Sequence, residues 1–216
     1  MKANDSVPVT PGAGEPIAVQ TVDSKQHQVT MVADVDGHIR GSLPTWGLVI
    51  PPSAVGASKI YFDLFNSVAA TTLRLRKLFA IVATDVAVTG VVGVRVDTMR
   101  TSAVGTAGTA AATTASASKT AAGFWPFTPG NTLPAGITAR AIPTGGATDE
   151  QWLWPSYLFT EETNVSSQVS QFYNLLPEVF TEESIELPTG KGLKVVQGSV
   201  ASVGSIGFLA VFSIEQ

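Results

Sequence analysis

The sequence predicts a mainly β protein, a β-sandwich with jelly-roll-like topology, long loops and at most one short helix. Apolar residues recur in many short runs, and Gly, Pro and Asp-Gly turn signals separate these runs. β-Branched residues dominate the most regular runs, and such side chains fit a pleated sheet better than a helix. The 216 residues, of which 44% are apolar, suffice for one sizeable core.

We expect an extended N-terminal arm, residues 1–16, and a single sandwich domain over residues 17–216. Repeated Pro and Gly residues favour an extended chain in the arm, and such a segment often becomes ordered on a neighbour. A frayed terminus is an equally good reading. The arm residues that we expect to contact a partner are Val7, Pro8, Val9, Pro11 and Pro16.

The first predicted strands cover residues 17–22 and 28–35, and the second ends at an Asp-Gly hairpin signal, residues 36–37. Pro51-Pro52 predicts an extended, non-helical break. The clearest strands lie within residues 58–100. Residues 73–76 alternate Leu and Arg, so both Arg side chains should share one face, and residues 91–97 alternate with β-branched residues.

Residues 101–123 predict a long loop, because all but Val104 and Lys119 are Ala, Thr, Ser or Gly. Such a segment offers little apolar bulk to offset the entropy of ordering. Two aromatic clusters follow, and either could pack into the core or against another subunit. They consist of Phe124, Trp125 and Phe127, and of Trp152 and Trp154.

The one predicted helix lies within residues 161–176, where Val165, Val169, Phe172 and Leu176 recur at helical spacing before Pro177. Strands are expected again at residues 136–142, 184–187, 193–197 and 206–214. The last strand is apolar on both faces, which predicts a central position between packed layers.

Nothing in the sequence supports catalysis or a cofactor. There is no cysteine, and no nucleophile elbow, phosphate-binding loop, dinucleotide fingerprint or zinc-protease motif occurs. His27, His38 and Asp34 could meet at a metal ion, but a hairpin turn explains the Asp-rich segment better. We therefore expect a non-enzymatic protein without a cofactor.

Charge and hydropathy bear on possible partners. The net charge is −4 and no long basic run exists, which argues against nucleic-acid binding. No run of about 18 uncharged apolar residues predicts a membrane span. Residues 149–190 hold eight acids and no base, whereas residues 59–100 hold six bases and three acids. These opposite patches could meet in neighbouring subunits, or each could simply face solvent.

Segments at both ends of the sequence resemble a known group of proteins. Residues 190–198 (GKGLKVVQG) and 201–212 (ASVGSIGFLAVF) resemble the C-terminal end of uncharacterised structural proteins of tailed bacteriophages and prophages. Residues 19–23 (VQTVD) and 32–37 (VADVDG) resemble their openings. The resemblance implies a virion protein assembled in the host cytoplasm.

Together these observations predict a capsid decoration or auxiliary head protein that stabilises the particle by binding across neighbouring capsid subunits. Its expected partners are the major capsid protein or other virion proteins, and copies of itself, with a trimer favoured for local three-fold positions. The alternatives are a tail, neck or head-fibre component, or a carbohydrate- or receptor-binding module that stacks its ligand on Trp125, Trp152 and Trp154. A hydrolase is the weakest alternative.

Overall fold

The computed structural model describes residues 19–22, 25–28, 43–84, 92–114, 120–144, 147–160, 169–177 and 184–215. It divides the chain into two compact units, Met1–Leu43 and Pro44–Gln216. In the first unit, β1 (Val19–Val22) and β2 (Lys25–Gln28) pair as an antiparallel hairpin. The first predicted strand is therefore confirmed over residues 19–22. The predicted hairpin at residues 36–37 lies outside the described residues.

The second unit is built entirely from strands and loops in its described part. The strands are β3 (Thr45–Ala54), β4 (Ile60–Asn66), β5 (Thr72–Thr84), β6 (Val92–Thr101), β7 (Thr109–Ala110), β8 (Gly123–Pro126), β9 (Ile137–Ala141), β10 (Asp149–Thr160), β11 (Val169–Asn174), β12 (Ile185–Leu187), β13 (Lys191–Gln197) and β14 (Ser205–Glu215).

These strands form two antiparallel sheets. Sheet I has the order β10-β6-β13-β4-β9-β7, and sheet II has the order β11-β5-β14-β3-β8, with β12 also paired to β5. Four strands of each sheet, β10-β6-β13-β4 and β11-β5-β14-β3, reproduce the strand order of a jelly roll. The predicted fold is therefore confirmed. The connection between β6 and β10 adds β8 beside β3 and β9 beside β4.

The core lies between the two sheets, and β14 shows how the sequence builds it. Alternate β14 residues from Ile206 to Ile214 are buried, and β14 lies between β3 and β5, as its apolar sequence predicts. The Phe208 ring reaches sheet I, with its centroid 5.0 Å from that of Tyr61 and 5.5 Å from that of Phe62. Aromatic contacts of this kind join the two sheets.

Pro51 and Pro52 lie inside β3 and do not end it. The β3–β14 register shifts between Ile206 and Phe208, so this part of β3 is bulged. A bulge tolerates residues that cannot donate to the ladder. Gly207 faces the bulge, and a Cβ there would lie 3.0 Å from the Pro52 nitrogen. The extended conformation was predicted correctly, but the strand that contains it was missed.

The predicted helix is wrong where the structure describes it, because residues 169–174 form β11. This strand pairs with β5, with Val169 opposite Thr84 and Asn174 opposite Phe79. Phe172 is 60% exposed and Leu176 is buried, so the helical spacing does not reflect one buried face. Val165 and the rest of residues 161–168 lie outside the described part.

The Ala/Thr/Ser/Gly segment at residues 101–123 is a loop over most of its described length, and contacts with both sheets hold it in place. β7 pairs with β9, and Ala112 forms a bridge to Gly123. The buried Asp63 side chain accepts hydrogen bonds from the Gly105 and Arg140 backbone N–H groups, at 2.5 and 3.0 Å. Backbone hydrogen bonds and the Asp63 carboxylate therefore fix the position of this segment, whereas apolar side chains fix the strands of the core.

Candidate interaction surfaces

The predicted partner residues separate into three groups in the structure. Val7, Pro8, Val9, Pro11 and Pro16 lie outside the described residues. Phe124 and Trp154 are buried in the core of the chain itself. Phe124 packs edge-on against Phe212, with ring centroids 6.1 Å apart, and the Trp154 indole N–H donates to the Leu175 carbonyl at 2.8 Å. These two residues stabilise the fold and offer no surface to a partner.

Trp125, which is half-buried, and Phe127, which is exposed, form a stacked pair on the outer face of sheet II. Their rings stack with centroids 4.5 Å apart, and Phe127 is 50% exposed. The Trp125 ring lies directly over Gly47, where a Cβ would come within 2.3 Å of Trp125 Cε2. The absence of a side chain at Gly47 therefore lets the indole lie flat on the sheet.

The aromatic pair belongs to a larger apolar surface, which we call the sheet II outer face. Its members alternate with buried core residues along β3, β5, β8, β11 and β14, and they share one side of the sheet by register. They are Val49, Phe79, Ile81, Trp125, Phe127, Phe172, Leu209 and Val211.

Contacts within the sheet II outer face make it continuous. Phe172 packs on Phe79, with ring centroids 4.6 Å apart, and the Lys77 ammonium lies 5.9 Å from the centre of the Phe79 ring. Leu209 pairs with Phe79 on one side and with Val49 on the other. Val49, Phe127 and Phe172 are exposed, and the other members are half-buried. A contiguous apolar surface that is partly open to solvent typically marks a protein contact.

A polar cluster bounds this face at one end. Arg74 bonds to Glu215 at 2.5 Å and to Glu186 at 3.0 Å, and Arg76 donates to Ser213 at 3.0 Å. Leu73 and Leu75 are buried on the opposite side of β5, so the predicted common face of the two Arg residues is confirmed. A polar rim around an apolar centre is the usual arrangement of a protein interface.

The outer face of sheet I has a different character. Trp152, Tyr157 and Phe159 project from β10, and Trp152 is 51% exposed. Between the rings, Arg95 binds Asp97 through Nε and Nη2, at 3.0 and 2.8 Å. We call these five residues the sheet I aromatic face. Only Trp152 was expected from the sequence; the alternation of Tyr157 and Phe159 was a signal for the other two rings.

The free edge of sheet I is protected against pairing with another strand. β10 carries Pro155 and two register irregularities, between Asp149 and Gln151 and between Trp152 and Trp154. The Tyr173 hydroxyl bonds to both the N–H and the C=O of Phe159, at 3.2 and 3.0 Å. Proline, bulges and occupied backbone groups all discourage edge-to-edge association. The β10 edge of sheet I therefore disfavours pairing with a strand of another molecule, so contacts with partners through the outer faces of the sheets are favoured.

Several charges of the two predicted patches are paired within the chain. Lys194 bonds to Asp149, Lys191 to Glu150, and Arg74 to Glu186. The remaining acids of the acidic patch, at residues 161, 162, 178, 182 and 183, lie outside the described part. Of these pairs only Arg74–Glu186 joins the two predicted patches, and all three are formed within one chain.

Two open cavities lie in the described part of the second unit, one where β3 ends and β14 begins and one among β6, β10 and β12. One, of about 440 Å³, is lined by Pro52, Val55, Ser202 and Val203 among others, and another, of about 380 Å³, by Arg100, Gln151, Trp154 and Ser184 among others. Across the residues with described positions, no three His, Asp or Glu side chains gather as metal ligands. The same part of the chain contains no helix long and apolar enough to cross a membrane.

Comparison with known proteins adds no relative: no family model, curated protein or solved structure matches this chain. The jelly-roll strand order and the two contrasting outer faces are therefore the observations on which a function can be argued.

Proposed function

We propose that the protein is a non-enzymatic virion structural protein of a tailed bacteriophage, specifically a capsid decoration or auxiliary head protein. Its sheet II outer face would bind the major capsid protein or another virion protein and so oppose the separation of neighbouring subunits. A tail, neck or head-fibre position fits the same chemistry. The observation that supports this proposal best is the continuous apolar surface around Trp125 and Phe127.

Three further features agree with the proposal. Jelly-roll domains are common in viral capsids. Charged residues make up only 14% of the chain, which suits a surface that other subunits cover. The cluster around Arg74 forms a polar rim beside the apolar face. The resemblance of both ends of the sequence to phage structural proteins supplies the virion context.

Phe127→Ala should weaken binding to the particle, because truncating a large exposed aromatic side chain within a protein contact removes part of its affinity. We expect a loss of about tenfold or more. Co-sedimentation of the purified chain with heads assembled from the major capsid protein of the same phage genome would measure it. Tyr157→Ala is the matched control, since it removes a ring of comparable exposure from sheet I. Equal binding by Phe127→Ala and the unmodified chain would refute the proposed surface.

We also propose that the protein self-associates, with a trimer favoured because local three-fold positions recur on capsids. Light scattering on the purified chain is expected to give three times the 22.4 kDa mass of one copy. A monomeric mass at all concentrations would show that the copies meet only on the particle, and would remove the preassembled trimer from the proposal.

A further inference from the structure

The sheet I aromatic face contains large rings where a solvated sheet normally presents polar side chains. Trp152 is 51% and Tyr157 58% exposed. Both project outward, since Trp152 pairs with Met99 and Tyr157 with Arg95, while the intervening Trp154 and Leu158 are buried. An antiparallel sheet usually alternates apolar residues inside with polar residues outside. These exposed rings therefore indicate a binding site for a ligand or a partner.

The Trp152 ring is fixed in position. Its indole N–H donates to Asp97 Oδ1 at 3.0 Å, so the ring reaches from the edge strand β10 across to β6. Arg95 donates to the same oxygen from Nε and Nη2. A side chain held by such bonds loses little further freedom when a ligand stacks on it, which favours binding. Trp152 is thus a preorganised flat platform.

Asp97 retains hydrogen-bonding capacity beside this platform. All three donors that reach its carboxylate converge on Oδ1, and among the described residues none donates to Oδ2. The Asp97 side chain is 14% exposed. Arg95 balances the charge of Asp97 and is itself 47% exposed. The sheet I aromatic face therefore offers an acceptor, a donor and three rings, without net charge.

We propose that the sheet I aromatic face binds a neutral oligosaccharide. A pyranose ring has an apolar C–H face, which would stack on Trp152, and hydroxyl groups at its rim, which would donate to Asp97 Oδ2 and accept from Arg95. A second sugar would stack on Tyr157. Trp152 and Tyr157 lie opposite Met99 and Arg95, four residues apart on β6, so they are roughly 13 Å apart at about 3.3 Å per residue. This is longer than one pyranose, so the ligand is an oligosaccharide. This inference does not depend on the proposed particle contact.

Two other ligand classes fit this face less well. A second protein fits less well because the centre of a protein interface is depleted in charged residues. The Arg95–Asp97 pair lies at the centre of the sheet I aromatic face, whereas the centre of the sheet II outer face has no such pair among its described residues. Single-stranded nucleic acid also stacks on aromatic rings, but it needs cations that are free to neutralise phosphates. Arg95 is already paired, and the chain carries a net charge of −4.

Affinity electrophoresis tests the proposal directly. The full chain is run through gels containing dextran, mannan, galactomannan or hydroxyethylcellulose, and at least one of these neutral polysaccharides should retard it. Trp152→Ala and Tyr157→Ala should each lower the apparent affinity about tenfold. Trp152→Phe retains a ring but loses the bond to Asp97, so its affinity should be intermediate. Trp125→Ala, which removes an indole from the opposite sheet, should be retarded as strongly as the unmodified chain.

Thermal unfolding of each variant, together with particle co-sedimentation, makes the result interpretable. Trp152→Ala should unfold cooperatively near the parent temperature and bind particles normally, whereas Phe127→Ala should bind polysaccharide normally. No retardation in any neutral gel, equal retardation of Trp152→Ala, or retardation only by anionic polygalacturonate would overturn the inference. So would a Trp152→Ala variant that loses particle binding when no polysaccharide binds the parent, since the face would then be a protein contact.

Discussion

Phe208→Ala should destabilise the protein by about 3–5 kcal/mol, the usual cost of truncating a fully buried phenylalanine. Phe208 lies on the central strand of sheet II, and its ring contacts Tyr61 and Phe62 of sheet I. Removing the ring leaves a cavity where the two sheets meet, and a close-packed interior relaxes only partly to fill it. Chemical denaturation followed by tryptophan fluorescence would measure the change in the free energy of unfolding.

Phe172→Ala supplies the matched control for this measurement. The substitution is chemically identical, but Phe172 is 60% exposed and contacts only the Phe79 ring among aromatic side chains of the described residues. Its effect on the free energy of unfolding should stay below about 1 kcal/mol. Similar losses for the two variants would mean that the sheets are not joined through Phe208, and that the sandwich core lies elsewhere.

Strands whose alternation is strong were predictable from the sequence. Leu73 and Arg74 alternate in and out of the core as their order requires, and the doubly apolar β14 takes the central place in its sheet. The number of short strands and their turn signals predicted a jelly-roll-like sandwich, but they did not predict which strands pair with each other. Which strands become neighbours depends on long-range contacts that local residue patterns do not encode.

The two elements that the sequence did not predict, the β3 bulge and β11, were missed for the same reason. Pro51-Pro52 reads as a break because proline cannot donate to a ladder, yet a bulge beside Gly207 accommodates both residues. In β11, the helical spacing of Val169 and Phe172 arises by coincidence, and pairing with β5 decides the conformation. Tertiary pairing overrides weak local preference in both cases.

The partner surface was only partly predictable, because aromatic clusters were treated as units. Adjacent residues of a strand point to opposite faces, so Phe124 is buried while Trp125 is at the surface. Trp152 and Trp154 are two residues apart and should share a face by the same rule. A register irregularity between them places Trp152 outside and Trp154 inside. The regular alternation of side chains along a strand does not reveal where such a bulge occurs.

Asp63→Ala should destabilise the protein by about 3 kcal/mol, because it leaves the buried Gly105 and Arg140 N–H groups without an acceptor. These bonds hold the Ala/Thr/Ser/Gly loop on sheet I. Hydrogen exchange should show early exposure of residues 102–111 in this variant, since few apolar contacts remain to hold them. Unchanged exchange in that segment would show that β7 pairing alone holds the loop.

The pH dependence of stability tests the same carboxylate. Burial raises the pKa of Asp63 above its ordinary value of 3.8, although the Gly105 and Arg140 N–H groups and the Arg140 charge act in the opposite direction. Lys194, its cross-strand neighbour, bonds instead to Asp149. The folded state therefore holds the proton more tightly than the unfolded state, so the contribution of Asp63 to stability falls as pH rises through and above 3.8.

Asp63→Asn isolates this effect, because it keeps the size of the side chain and removes its titration. The free energy of unfolding of the parent, minus that of Asp63→Asn, should be largest below pH 3.8 and should shrink towards neutral pH. Denaturant titrations of both proteins across this range measure the difference, and groups that titrate equally in both cancel. A difference that grows with pH would mean that the two backbone donors outweigh burial, and that the ionised carboxylate is the form that pins the loop.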